Sequence, residues 1–105
     1  MTLEKSIEPG NIVLSAITKM ELMLGATDKT DLARIIKKLG RFNIALINDD
    51  ITMRAFDLPE TYRLSHGLSL PDSIIAATAL IADMKLFTYN IKDYKFIGQL
   101  NLYEL

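Results

Sequence analysis

The sequence predicts an α/β domain of three layers, a parallel sheet between helices, and three observations lead there. The run Ile12-Val13-Leu14 is continuously apolar rather than alternating, as in a strand covered on both faces. Strand-like and helix-like stretches alternate along the chain, which favours crossover connections and parallel pairing. A chain of 105 residues, 50% hydrophobic and 24% charged, suits one domain with a buried core, and the whole of residues 1–105 is read as that domain.

The elements follow in order. Leu3 to Glu8 reads as the end of a short helix, broken by Pro9-Gly10. Asn11 to Ser15 is the first legible strand. Thr18 to Leu24 is a helix, with Ile17, Met20 and Leu24 at helical spacing and Gly25 as its stop. Asp28 and Asp31 open a second helix with Leu32, Ile35, Ile36 and Leu39 on one face. Lys37-Lys38 fall in its last turn, where cations suit the helix dipole, and Gly40 ends it. Phe42 to Ile47 is a second strand. Asn48-Asp49-Asp50 starts a helix over Ile51–Ser65, which Pro59 is expected to kink or split near Leu58, and Gly67 closes it. Ser69-Leu70-Pro71-Asp72 opens the most apolar helix, running to about Met84. Leu86 to Tyr89 is a third strand, Asn90 to Asp93 a loop, and Leu100 to Leu105 a short last strand.

Composition excludes several functions. There is no cysteine, so disulfides and thiolate metal sites are out and a reducing, cytoplasmic setting is expected. The single histidine, His66, excludes metal sites built on several imidazoles. Lys plus Arg number 12 against 13 Asp plus Glu, a net charge of −1, which argues against avid non-specific nucleic-acid binding but not against a transient RNA substrate. The longest apolar run, Ile74 to Ala82 interrupted only by Thr78, is nine residues and too short for a bilayer, so no membrane association is expected.

Chemistry gathers at a few polar positions. Glu21 follows the first strand closely, and Asn90 and Asp93 follow the third. In open parallel sheets ligands collect at such strand ends. Asp72 joins them if its helix starts beside the same edge. Carboxylates without His or Cys are hard oxygen donors, suited to Mg²⁺ or Mn²⁺. Such an ion lowers the pKa of a bound water and stabilises phosphodiester charge, so no protein nucleophile is required. Each residue also has a plainer reading. Ser69-x-x-Asp72 fits a capping box. Glu21 fits a solvated helix face, and Asn90 and Asp93 fit turns. Ser15 and Thr18 fit helix caps. His66 fits a cation at a helix C-terminus.

Three blocks together carry a resemblance: Ser15-Ala-Ile-Thr18-Lys-Met-Glu21-Leu-Met-Leu-Gly25, Leu70-Pro-Asp72-Ser-Ile-Ile-Ala-Ala-Thr-Ala-Leu80, and Leu86-Phe-Thr88-Tyr-Asn90-Ile-Lys-Asp93-Tyr. In this order they resemble the PIN domain, and most of all the VapC-type ribonuclease toxins of toxin–antitoxin pairs. The resemblance runs from about Leu3 to Leu105. It implies a Mg²⁺- or Mn²⁺-dependent endoribonuclease that cleaves single-stranded RNA with a metal-activated water. Glu21, Asp72 and Asp93 match the metal-binding acids. Asn90 matches a catalytic polar partner, and Thr88, Asn90 and Ser15 match substrate contacts. A cognate antitoxin and a homodimer are implied as partners.

The family's chain normally begins with a strand ending in Asp-Thr or Asp-Ser, which supplies the first metal ligand. Here Met1 falls where the family is already in its second helix, so the N-terminal strand is read as missing, and with it one ligand. By resemblance that strand lies between the Ile12 and Leu86 strands. These two then either pair directly or accept a strand from another copy. Loss of the ligand also opens a second reading: a catalytically impaired PIN remnant that acts as an antitoxin-binding or dimerisation module.

Overall fold

The structure, a computed structural model, describes residues 12–88 and 90–103. They contain three strands, β1 (Ile12–Ser15), β2 (Asn43–Ala45) and β3 (Lys85–Leu86). Four α-helices accompany them: α1 (Ala16–Leu24), α2 (Lys29–Leu39), α3 (Asp49–His66) and α4 (Leu70–Ala82). A turn of 3₁₀ helix spans Ile91–Asp93. The sheet is parallel throughout in the order β2-β1-β3. Of the two arrangements left open by the sequence, direct pairing is observed: Ile12 lies opposite Lys85 and Val13 opposite Leu86.

Side-chain alternation on β1 divides the core into two halves, giving the predicted three layers. Ile12 and Leu14 pack with Leu39 and Phe87 on the side of α2. Val13 packs with Ile51, Ala55 and Leu58 of α3 and with Ile75, Ala76 and Ala79 of α4. All four residues of β1 are buried, which explains why their sequence carries no alternation. On α4, Ala76 and Ala77 are fully buried, and their small side chains let the helix approach its neighbours closely. The buried hydroxyls there are satisfied locally, Thr78 donating to the Ile74 carbonyl (2.7 Å) and Ser73 to the Ser69 carbonyl (2.8 Å).

Several expectations change in detail. Pro59 does not split its helix: α3 runs unbroken from Asp49 to His66. A mid-helix proline costs about 3 kcal/mol. Ile51, Ala55 and Leu58 are all buried against α4, and that packing offsets the cost. The second and third strands are shorter than expected. The last one, Leu100–Leu105, reduces to a single parallel bridge between Leu86 and Leu102, with Leu86 N–H donating to Asn101 O (2.8 Å). The expected helix at Leu3–Glu8, and Asn11, Tyr89, Glu104 and Leu105 within the expected strands, lie outside the described residues. No helix among the described residues is long and apolar enough to cross a membrane.

Candidate active site

The site is built where the strands end. Ser15 is the last residue of β1 and the N-cap of α1. Its side chain accepts from Ile17 N–H at 3.1 Å. This cap turns the chain directly from strand into helix, so Thr18 and Glu21, one turn apart, both border a cleft at the C-terminal edge of the sheet. From the other direction, Ser69 caps α4 and accepts from Asp72 N–H at 3.2 Å. Ser69 thus does the capping that the Ser-x-x-Asp spacing suggested. The Asp72 carboxylate turns elsewhere: its Oδ1 accepts a 2.8 Å hydrogen bond from the Tyr94 hydroxyl.

After β3, Thr88 and Asn90 reach the same cleft. The Thr88 hydroxyl accepts from Asn90 N–H (3.0 Å), and the Asn90 carbonyl accepts from Asp93 N–H (2.9 Å). These two bonds tighten the turn and place Tyr94 beneath Asp72. The cleft has a volume of about 340 Å³. Glu21, Asp72, Thr88, Asn90 and Tyr94 stand among its walls. Its apolar lining includes Leu14, Ile35, Leu39, Phe42 and Phe87, and Arg34 and Lys38 of α2 add positive charge.

Tyr94 is the cleft residue whose contact with Asp72 the sequence did not disclose. It is only 4% exposed. Burial first, then the hydrogen bond to Asp72 and the negative charges of Asp72, Glu21 and Asp93, push its phenol well above the ordinary value. One buried hydroxyl therefore feels all three matched carboxylates. The available signal was an aromatic side chain with a polar tip directly after the last acid. Arg34 and Lys38 were also missed as cleft residues. Their four-residue spacing on a helix puts them on one face.

The structure arranges the predicted residues unevenly. Glu21, Asp72, Thr88 and Asn90 share the cleft. Asp93 is exposed and borders an adjoining cavity, of which Asp72 is also a wall. Asp72 thus stands between Glu21 and Asp93. Ser15 stands apart from the cleft residues: it is fully buried and its hydroxyl is committed to the α1 cap. In donor chemistry the acids fit a hard divalent ion, being oxygen-only. They do not form a closed shell, since no three His, Asp or Glu among the described residues stand close enough to hold one ion.

This fold and edge define a parallel α/β domain with acids gathered around its strand ends. A family model described as PIN domain matches residues 1–96, and the chain belongs to that family. Its relatives are of VapC type. It is 30% identical over 92 residues to ribonuclease VapC10 of Mycobacterium tuberculosis, covering 87% of this chain and 68% of that protein. Ribonuclease VapC19 of the same organism is 30% identical over 90 residues, covering 85% of this chain and 71% of that one. Among solved structures, a toxin–antitoxin complex from Klebsiella pneumoniae matches with a TM-score of 0.72 and 36% identity, over 97% of this chain and 84% of the other. VapBC2 of Rickettsia felis, bound to a promoter DNA fragment, matches with a TM-score of 0.74 and 26% identity, over 99% and 80%.

Proposed function

We propose that this chain is a metal-dependent endoribonuclease of the VapC toxin type, acting on single-stranded RNA. The observation that carries this reading is that Glu21 and Asp72 line one cleft at the sheet edge where α/β domains bind ligands, with Asp72 bonded to the Tyr94 hydroxyl and Asp93 on the adjoining cavity.

Glu21 and Asp72, with Asp93 on the far side of Asp72, are the residues that would hold Mg²⁺ or Mn²⁺. When bound, a divalent ion supplies an activated water and neutralises charge on the phosphodiester. The chain's own residues do the rest. Tyr94 fixes one oxygen of Asp72, so that carboxylate keeps a single orientation. Thr88 holds the turn that carries Asn90, whose amide is a substrate contact. Lys38 across the cleft, with Arg34 beside it paired to Asp31, would add positive charge facing the RNA backbone. The apolar floor excludes water from the lower part of the cleft and strengthens the electrostatic interactions above it.

The toxin–antitoxin complexes among the relatives support an antitoxin as partner, whose binding would block the cleft, and a second copy of this chain is the other proposed partner. Met53 and Phe56 on α3, 64% and 62% exposed, are apolar surface that a homodimer would cover. The absence of cysteine accords with a cytoplasmic setting.

Incubation of labelled single-stranded RNA with the purified protein tests the reading. Cleavage is expected with Mg²⁺ or Mn²⁺, none with EDTA, and none from Asp72→Asn. If the folded protein leaves RNA intact under every metal condition, yet still binds an antitoxin, the binding-only reading takes its place.

A further inference from the structure

On the far side of Asp72 from the cleft lies a smaller cavity of about 130 Å³, whose walls include His66, Gly67, Asp72, Lys92, Asp93 and Phe96. Its floor is aromatic. The His66 imidazole lies parallel to the Phe96 ring, 5° between planes and 4.1 Å between centroids. Tyr62 stands edge-on to both, at 6.0 Å from His66 and 5.2 Å from Phe96, and its hydroxyl accepts from Gly98 N–H at 3.0 Å. Ser65 Oγ, 2.7 Å from His66 Nδ1, fixes the ring from its other side chain neighbour. Gly67, in the left-handed conformation at φ 68°, ends α3 here and leaves open space where a side chain would stand. The imidazole is therefore braced on one face by Phe96 while the residue remains exposed.

We propose that this cavity is a base subsite: one unpaired nucleobase of the RNA, adjacent to the bond cut at Asp72, stacks on His66, with its phosphate drawn to Lys92. The proposal rests on the ribonuclease reading above and adds a recognition element to it. A flat, immobilised π-face accepts any base, but only from a single strand, since a duplex keeps its base faces covered. The Asp72 and Asp93 carboxylates on the same wall repel phosphate and favour the backbone running on the Lys92 side. A purely structural role does not need His66. The Tyr62–Phe96 contact and the Gly98 bond already tie the segment after β3 to α3 without it.

The test is fluorescence anisotropy with a short fluorescein-labelled oligouridylate in EDTA, so that the strand stays whole, beside a matched strand of abasic riboses. His66→Ala is expected to weaken binding of the intact strand about tenfold, the loss of one stacked base. His66→Phe is expected to restore it, and the abasic strand should bind wild type and His66→Ala alike. Thermal melting checks that the variants fold, which the exposure of His66 favours. Equal affinity of wild type and His66→Ala for the intact strand overturns the subsite and leaves the nuclease reading standing. The same loss on intact and abasic strands also overturns it, because stacking is then not what was removed. Failure of the folded wild type to bind either strand overturns the subsite, while the nuclease reading, which requires the metal, is judged by the cleavage assay above.

Discussion

The Tyr94 hydroxyl donates to Asp72 Oδ1 over 2.8 Å, joining the segment after β3 to the first turn of α4 across 22 residues of sequence. The bond is made by a side chain that is only 4% exposed, so it holds the carboxylate from inside the protein. Hydrogen bonds to charged groups contribute about 1.5–3 kcal/mol. Tyr94→Phe should therefore lower unfolding free energy by about 2 kcal/mol in urea titrations. On an Asp72→Ala background the same change should cost much less, because the partner is already gone. Groups that orient metal ligands typically contribute about 10–100-fold in affinity. Tyr94→Phe should accordingly weaken Mn²⁺ binding at least tenfold while the fold persists.

The raised phenol also sets a pH dependence for the metal-free protein. A phenol ionises near pH 10 in the unfolded chain and higher in the folded one. Between those values the native state retains a proton that the unfolded state has lost. Stability is then fully present below about pH 10 and falls as pH rises beyond it. In Tyr94→Phe that part of the alkaline slope should vanish. Tyrosinate absorbance should show a phenol that ionises above the ordinary value in wild type and is absent from Tyr94→Phe.

Ser15 separates a structural role from a functional one. As a buried N-cap it should cost about 1 kcal/mol when replaced by alanine. RNA affinity at a temperature where both proteins are folded should be unchanged. A tenfold loss of RNA binding at equal stability would instead make it a substrate contact.

Gly67 is the positive-φ glycine of the described residues and terminates α3 beside the aromatic floor. Gly67→Ala meets no atom within 4 Å, so its effect is conformational rather than steric. About 1 kcal/mol of destabilisation is expected, read as a lower urea midpoint with unchanged slope.

The fold was legible where local chemistry and burial agree. The apolar run of β1, the caps Asp28, Ser69 and Gly67, and the alanine-rich α4 each state their structure in a few residues. That Pro59 leaves its helix unsplit was not legible because its cost is local and its compensation is not: the packing of Leu58 and Ala55 on α4 cannot be seen in a helix taken alone. Strand lengths were overestimated at Phe42 and Phe87 for a similar reason, since both pack into the core from outside the paired segments. At the cleft, Glu21 and Asp72 were legible as neighbours from their pattern, whereas Asp93 borders the adjoining cavity. Tyr94 was not legible, because its role arises only when the turn at Asn90 folds it under Asp72. His66 read as an ordinary helix-end cation, and only the ring of Phe96, 30 residues later, makes it a surface.

The account depends on these side-chain oxygens gripping a hard cation around Asp72. Calorimetric titration of the purified protein with Mn²⁺, with circular dichroism confirming the fold, tests that directly. A saturable heat in wild type that disappears in Asp72→Asn is predicted. A flat titration of the folded wild-type protein would contradict the claim.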